Sequence, residues 1–141
     1  MKEFDVIVIG GGMVGLAFAI ELSQKNNCSI AIIEPNTSNP PIKKTFHTRV
    51  SAITPSSEAY IKSLNIWDDI KRKQVFFSTK VWDQNSHGRL NFHAKDENME
   101  HLGYIIENDL IQSALFGAID KNKIEYINAK LSDLKKIDSG Y

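Results

Sequence analysis

The sequence predicts an α/β fold built on a parallel sheet, and three features near its start support this prediction. Residues 4–9 read FDVIVI, an apolar and β-branched run typical of a strand buried on both faces, and we expect it to be a central strand. A glycine-rich turn and a helical segment follow. The helix is predicted to face the sheet with one stripe, formed by Leu16, Ala19, Ile20 and Ser23. A second apolar run at 30–33 completes a βαβ unit.

The turn between the first strand and the helix has the spacing G-x-G-x-x-G, at Gly10, Gly12 and Gly15. In such turns the first glycine allows a sharp bend, the second lets the backbone approach a pyrophosphate, and the third lets the helix pack against the strand. The partial positive charge and free N–H groups of the helix N-terminus suit an anion. We therefore predict a dinucleotide-binding turn, with Met13 and Val14 as further contacts.

Glu34 ends the second apolar run, 24 residues after Gly10. A carboxylate at this position accepts hydrogen bonds from both ribose hydroxyls of a dinucleotide. It would also repel a 2′-phosphate, so the sequence favours FAD or NAD over NADP. The alternative is a flexible glycine turn without a ligand. It is less favoured because strand, helix and acid all stand where a nucleotide site requires them.

Length and composition exclude several classes of protein. The 141 residues suffice for one domain with a real core, and 17 basic residues balance 17 acidic ones, so charge does not favour a nucleic-acid partner. No apolar run approaches the roughly 20 residues of a membrane span, and the first strand leaves no room for a signal peptide, so we expect a cytoplasmic protein. Cys28 is the only cysteine and the four histidines lack ligand spacing, so we expect neither a disulfide framework nor a metal site.

A proline-rich loop at 35–41 separates the βαβ unit from the block RVSAIT, which contains Arg49. A guanidinium there can bridge phosphates or a flavin edge, but spacing alone favours the alternative, an exposed arginine on a loop. Thr54-Pro55 then predicts a helix start. For this helix we expect a stop at Asn65 and a buried stripe formed by Ala59, Tyr60, Ile61 and Leu64. A short helix near Trp67 should follow, with the basic run 71–73 solvated in its last turn.

From residue 75 the pattern changes to alternation. Residues 80–83 and 89–93 are predicted to form an antiparallel hairpin, the edge of a second layer that covers the nucleotide. For its aromatic residues core packing is favoured over a pocket; these are Phe76, Phe77, Trp82 and Phe92. Later segments are expected in the order strand, polar cap, helix, strand and a last loose strand, at 102–106, 107–109, 110–121, 124–127 and 130–137. A turn signal at 138–140 has no returning strand, so we expect the chain to be the beginning of a longer protein.

Several blocks, taken together, resemble a known family. They are FDVIVIGGGMVGLAFAIEL, IAIIEP, RVSAIT, LNIWDDI, VWD…G…F and LGYIIENDLIQSAL. Their order is similar to that in the FAD-dependent aromatic hydroxylases of ubiquinone biosynthesis, a group of flavoprotein monooxygenases. The resemblance implies a Rossmann-like FAD-binding domain in two segments, 1–74 and 102–141, the latter incomplete. Residues 75–101 would form the edge of a substrate domain.

The resemblance also implies site residues and substrates. The adenosine diphosphate half of FAD would lie on the glycine loop and Glu34, Arg49 would contact the cofactor, and Glu107 and Asn108 would lie near its ribityl or ribose portion. NAD(P)H would be the co-substrate, and O2 and a polyprenylated phenol the substrates. The resemblance leaves open whether the protein makes a peripheral contact with the inner membrane or with a ubiquinone-biosynthesis complex. The flavin carries the chemistry, so we expect no catalytic side chain here.

The family's second FAD segment, of the type Gly-Ala-Asp-Gly, has no counterpart before residue 141. We therefore expect the 141-residue chain alone to be inactive as a hydroxylase. Two alternatives remain open at this stage. One is a stand-alone nucleotide-binding module without turnover, and the other is an FAD-dependent oxidoreductase outside the ubiquinone group.

Overall fold

The computed structural model describes residues 2–36, 39, 41–42, 44–85 and 87–136. The described α-helices are α1 (Met13–Lys25), α2 (Pro55–Ser63) and α3 (Asn108–Gly117). Two short 3-10 helices span Trp67–Asp69, where a short helix was predicted, and Ala94–Glu97. The described strands are β1 (Val6–Ile9), β2 (Ile30–Ile33), β3 (Val50–Ile53), β4 (Gln74–Phe76), β5 (Ser78–Trp82), β6 (Arg89–His93), β7 (Gly103–Glu107) and β8 (Ile124–Ile127). These elements form two compact units, one from Met1–Pro40 and Leu115–Tyr141 and the other from Pro41–Ala114.

The first unit contains a three-stranded parallel sheet in the order β1-β2-β8. Strand β2 reads IAII and is buried because strands pair with it on both sides. Helix α1 packs on this sheet with the four residues of the predicted stripe, which are the buried residues of the helix. The predicted βαβ unit is thereby confirmed.

The expectation that the first strand is central is wrong for the described residues. Strand β1 pairs with β2 alone and lies at the edge of the sheet. Ile7 is 48% exposed and Ile9 53%, because one face of β1 has no described cover. The central position belongs to β2, since β8 pairs with its other side.

The second unit contains an antiparallel sheet in the order β3-β7-β4 and the hairpin β5-β6. The predicted hairpin is confirmed, and with it the fold class: an α/β chain with one parallel sheet and antiparallel strands. The division into units differs from the predicted boundaries. The described residues of 41–74 add no strand to the parallel sheet, and β8, from the predicted third segment, supplies its third strand. The functional assignment of each segment stays a prediction.

Helix α2 begins as predicted, but a different face is buried. The Thr54 hydroxyl accepts a hydrogen bond from the Ser57 N–H at 3.4 Å, and the chain leaves the helix at Asn65 with φ of 60°. Ile61 and Leu64 are buried as expected. Tyr60 and Ala59 are exposed, however, and the carboxylate of Glu58 is buried instead. Burial is possible because the charge is compensated: Lys62 donates to the Glu58 carboxylate at 2.6 Å, and His101 Nε2 lies 2.7 Å from it.

The basic run 71–73 was predicted to be a solvated helix end, and the structure corrects this for one member. Lys71 donates to the carbonyl of Asp68 and Lys73 to the carbonyls of Trp67 and Ile70, in keeping with cations at a helix C-terminus. Arg72 instead forms a two-point ion pair with the buried carboxylate of Glu107.

Three further predictions differ from the structure: the burial of the aromatic residues near the hairpin, the last strand and the end of α3. Phe77, Trp82 and Phe92 are 57%, 70% and 44% exposed, because the two-stranded hairpin has no described layer against either face. Residues 130–136 form no strand, since no described strand pairs with them. Residues 137–141, which include the predicted final turn, lie outside the described residues. Helix α3 ends at Gly117, four positions before the predicted end at 121.

No helix in the part of the chain that the structure describes has the length and apolar character needed to cross a membrane.

Candidate nucleotide-binding site

The loop between β1 and α1 has the backbone geometry that the glycine spacing predicts. Gly10 has φ of +102°, a conformation that residues with a side chain rarely adopt. A methyl group on Gly15 would overlap the carbonyl oxygen of Gly10 and lie 3.2 Å from Cγ1 of Val8. The steric roles predicted for these two glycines, a sharp turn and a close helix-to-strand approach, are confirmed.

Gly12 and Val14 face outward, whereas Gly11 is buried. A methyl group on Gly12 would meet no described atom within 4 Å, so the surface on this side of the loop is open. Gly12 is the N-cap of α1, and no side chain caps the helix there. Val14 in the first turn is 83% exposed, and Met13 is half-buried. The first-turn N–H groups therefore have no side-chain acceptor, and a helix N-terminus of this kind attracts an anion.

Glu34 lies beside this loop, at the carboxyl end of β2. Its Oε2 accepts a hydrogen bond from the N–H of Gly11 at 2.9 Å, and its Oε1 accepts one from the N–H of Asn36 at 2.9 Å. The hydrogen bond from Asn36 has the larger effect and that from Gly11 the smaller, and together they hold the pKa of the Glu34 carboxyl below its ordinary value of 4.5. Each carboxylate oxygen has a second lone pair. The charged form can therefore accept further hydrogen bonds from a ligand.

Tyr126 is a site residue that the sequence reasoning missed. It lies on β8, where it pairs in register with Ile32 of β2. Its hydroxyl lies against Gly11, so that a methyl group there would overlap the hydroxyl oxygen. The same methyl would lie 2.9 Å from Cγ of Glu34. The alternation of residues 124–127 predicted the strand, but no local signal indicates that its neighbour is β2.

The other predicted cofactor residues lie in the second unit, where β3, β7 and α3 meet. The carbonyl of Arg49 accepts a hydrogen bond from the N–H of Asn108 at 3.1 Å, and the hydroxyl of Ser51 donates to Asn108 Oδ1 at 2.7 Å. Arg49 is exposed, and its guanidinium has no hydrogen-bond or ion-pair partner among the described residues. The antiparallel pairing of Val50 with Glu107 brings these residues together.

Glu107 is engaged by protein groups on both of its oxygens. Arg72 donates to Oε2 at 2.9 Å and to Oε1 at 3.0 Å, and the N–H of His47 donates to Oε1 at 2.7 Å. The Arg72 hydrogen bonds, followed by that from His47, lower the pKa of this carboxyl, which is 6% exposed. The geometry assigns Glu107 a structural role in its own unit. Its predicted contact with a cofactor stays a prediction, as do those of Arg49 and Asn108.

Within the described residues, no three His, Cys, Asp or Glu side chains are arranged to hold a metal ion. His101 and His47 instead lie near carboxylates, Glu58 at 2.7 Å and Asp109 at 3.8 Å. Cys28 is a free, half-buried thiol.

The fold and the glycine-rich loop define a chain with the architecture of the FAD-dependent monooxygenases. It is similar to p-nitrophenol 4-monooxygenase PnpA from Pseudomonas putida DLL-E4, with a TM-score of 0.68 and 19% identity over 94% of this chain and 34% of that one. It is also similar to PqsL from Pseudomonas aeruginosa, a probable FAD-dependent monooxygenase, with a TM-score of 0.66 and 14% identity over 99% of this chain and 36% of that one. At such identities the likeness establishes the fold alone.

Sequence comparison gives the nearer relationship. The mitochondrial ubiquinone biosynthesis monooxygenase COQ6 of Mus musculus is 35% identical over 119 residues, which cover 79% of this chain and 25% of the relative. COQ6 of Danio rerio is 34% identical over 134 residues, covering 87% of this chain and 28% of the relative. The 3-demethoxyubiquinol 3-hydroxylase of Escherichia coli (strain K12) is 29% identical over 119 residues, covering 82% and 30%. No protein-family model matches the chain.

These comparisons confirm the resemblance inferred from the sequence: the chain is related to the monooxygenases of ubiquinone biosynthesis. It spans between a quarter and a third of the length of these relatives.

Proposed function

We propose that this chain forms the FAD-binding part of a flavin-dependent monooxygenase that hydroxylates a polyprenylated phenol in ubiquinone biosynthesis. The observation that supports the proposal most directly is the pairing of the glycine loop with an ionised Glu34 at the end of β2. COQ6 is named as a monooxygenase of ubiquinone biosynthesis, and the Escherichia coli relative is named as a hydroxylase of demethoxyubiquinol. Because the chain spans only part of their length, the hydroxylation is proposed for a protein of which this chain is one part.

The residues of the loop suit the adenosine diphosphate half of FAD. The open side of Gly12 and the first-turn N–H groups of α1 would hold the pyrophosphate, with Met13 and Val14 at the same helix end. The Glu34 carboxylate would accept the ribose hydroxyls with its remaining lone pairs. A 2′-phosphate would meet the same negative charge, which supports FAD over a 2′-phosphorylated dinucleotide.

When bound, FAD would supply the redox and oxygen chemistry, with NAD(P)H as the reductant and O2 as the second substrate. The residues of this chain would bind and orient the cofactor. Arg49 is the candidate for a cofactor contact in the second unit, because its guanidinium is exposed and has no described partner. Glu107 and Asn108 would support the same region. We propose no acid, base or nucleophile in this chain.

A polyprenyl tail is insoluble in water, and this supports the further proposal of a peripheral contact with a membrane or with other proteins of the pathway.

The experiment that tests the cofactor assignment is a titration of the chain with FAD, followed by flavin fluorescence. We expect Glu34→Gln to weaken FAD binding by roughly tenfold or more, because hydrogen bonds to a charged group contribute about 1.5–3 kcal/mol each. Glu125→Gln is the matched control, since Glu125 pairs with Lys2 on the surface of the same unit and should leave the affinity unchanged. Equal FAD affinity in the wild type and Glu34→Gln would contradict the assignment.

A stand-alone nucleotide-binding module is the second candidate function, and the observation that favours it is that the glycine loop and Glu34 lie together in one compact unit. The two candidates differ in turnover. Substrate-dependent consumption of NAD(P)H by the 141-residue chain would refute the module. FAD binding without any such consumption is expected of both candidates, because the hydroxylation is proposed for a protein of which this chain is one part.

A further inference from the structure

Tyr126 reaches the nucleotide loop from the face of the sheet that α1 covers. The register pairs Val8 with Ile32 and Ile32 with Tyr126, so these three side chains lie on one face of the parallel sheet. Gly15 of α1 approaches Cγ1 of Val8, which identifies this face as the one beneath the helix. The Tyr126 ring therefore extends between the sheet and the loop rather than away from them.

The tip of the Tyr126 side chain is in contact with Gly11. A methyl group added to Gly11 would overlap the Tyr126 hydroxyl oxygen and lie 2.9 Å from the adjacent ring carbon, Cζ. Gly11 is the residue between the first two glycines of the loop, and the G-x-G-x-x-G spacing places no demand on it. The contact with Tyr126 gives a reason, absent from the spacing, why this position lacks a side chain.

The same contact extends to Glu34. The methyl position on Gly11 lies 2.9 Å from Glu34 Cγ, and the N–H of Gly11 donates to Glu34 Oε2 at 2.9 Å. Burial, followed by the negative charge of Glu34, raises the pKa of the Tyr126 phenol, so the hydroxyl is neutral at neutral pH. A neutral hydroxyl, the loop backbone and the carboxylate thus meet at one point.

The Tyr126 ring is held in place from its other side. The ring of Phe116 packs edge-on against it, with ring centroids 5.4 Å apart and an interplanar angle of 67°. The strand register sets the Tyr126 backbone, and the Phe116 ring limits the rotation of its side chain. The hydroxyl is therefore a fixed support for a loop that is otherwise made of three consecutive glycines, the most flexible residue type.

We propose that Tyr126 is a positioning residue of the nucleotide site, which holds the Gly11 N–H and the Glu34 carboxylate in the arrangement that receives the adenosine ribose. The inference rests on the proposed function for the identity of the ligand and on the geometry alone for the support of the loop. Without the tyrosine ring, Gly11 can rotate away from Glu34, and the carboxylate loses one of its two backbone donors.

Hydrogen exchange measured by NMR tests the support of the loop without any ligand. The reference is the amide of Gly10 in the same loop. Its N–H donates to the carbonyl of Ile33 at 2.9 Å, a backbone hydrogen bond that does not involve Tyr126. Tyr126→Val removes the ring and keeps a residue suited to a strand. We expect it to raise the exchange rate of the Gly11 amide about tenfold relative to that of Gly10, since local opening affects some amides and not others.

Two further variants separate positioning from general stability. Tyr126→Phe removes only the hydroxyl and should give a smaller increase in the Gly11 to Gly10 ratio, which keeps the test valid if the valine variant does not fold. Ile124→Val is the control, because it shortens a buried side chain of the same strand at the end of β8 away from the loop, where Ile124 pairs with Ile30, and it should change both amides alike. An unchanged ratio in Tyr126→Val, or equal acceleration of both amides, would overturn the inference.

Binding of ADP-ribose, measured by calorimetry, tests the link to the nucleotide. We expect Tyr126→Val to bind about tenfold more weakly than the wild type, a difference on the scale of one lost hydrogen bond to a charged group. Ile124→Val should bind like the wild type. If the wild type binds ADP-ribose and Tyr126→Val binds it equally well, the inference fails and the proposed function stands. If the wild type does not bind while the exchange ratio changes as expected, Tyr126 supports the loop and the proposed function fails.

Discussion

Replacing Gly15 with alanine is expected to destabilise the chain, although alanine is the better helix former. The added methyl group would overlap the carbonyl oxygen of Gly10 and lie 3.2 Å from Val8 Cγ1, which is closer than an ordinary van der Waals contact. The obstacle on one side is backbone rather than the end of a flexible side chain. Helix α1 or the loop must therefore move to admit the methyl group.

The size of the effect follows from two opposing contributions. Adding a methyl group to a packed site costs about 1–3 kcal/mol, and an obstructing backbone atom places this site near the upper end. Alanine regains about 0.5–1 kcal/mol over glycine within a helix. We therefore expect the free energy of unfolding to fall by about 2 kcal/mol, which is a large share of the roughly 5–15 kcal/mol that stabilises a typical domain.

Thermal and urea denaturation followed by far-ultraviolet circular dichroism measure this change. For a chain of this length we expect the melting temperature to fall by about 6–8 °C. Gly12→Ala is the matched control, because its methyl group would meet nothing within 4 Å and its φ of −74° suits any residue. It should alter the free energy of unfolding by no more than about 0.5 kcal/mol, since the position lacks both a clash and backbone strain. A Gly15→Ala chain as stable as Gly12→Ala would refute the reasoning about close packing.

The remaining predictions concern the buried carboxylate of Glu107. Glu107→Gln removes the charge with which Arg72 pairs and should cost about 3 kcal/mol in urea denaturation followed by tryptophan fluorescence, whereas the exposed pair of Glu125 should contribute at most about 1 kcal/mol. A loss no larger than that of Glu125→Gln would contradict this. The second prediction concerns acid: because the folded-state pKa of Glu107 is lowered, chiefly by Arg72, its stabilising contribution is complete above its ordinary pKa of 4.5 and is lost as the pH falls through the folded-state value. Urea midpoints measured down to about pH 3 should therefore fall less steeply below pH 4.5 in Glu107→Gln than in the wild type, and parallel curves would exclude this carboxyl as a source of acid sensitivity.

The local parts of the nucleotide site could be predicted because their causes lie within a few residues. One turn requires both the positive φ of Gly10 and the absence of a side chain at Gly15, and the glycine spacing predicts both features. The buried stripe of α1 follows from the helical period alone. The start of α2 at Thr54 follows from the same kind of local chemistry, a hydroxyl beside proline.

Predictions failed where burial depends on a partner that is distant in sequence. The basic run 71–73 has the composition of a solvated helix end, yet Arg72 pairs with a carboxylate 35 positions away. The apolar content of β1 suggested a central strand, and the pairing of β8 with β2 makes β2 central instead. Glu58 lies outside the predicted stripe and is nevertheless buried, because Lys62 pairs with its carboxylate and His101 Nε2 lies within hydrogen-bond distance of it; His101 is 43 positions away in sequence.

Local residue patterns were sufficient to predict the class of fold, the glycine-rich loop and the acid beside it, because a turn of this kind is a local structure with strict steric rules. The position of Tyr126 beside that loop depends instead on strand pairing. The register between β2 and β8 joins residues more than ninety positions apart (Ile32 and Tyr126), and no local pattern encodes such a pairing. Loop closure over that distance is favourable only when the whole sheet forms, so the support of the site is a property of the assembled unit.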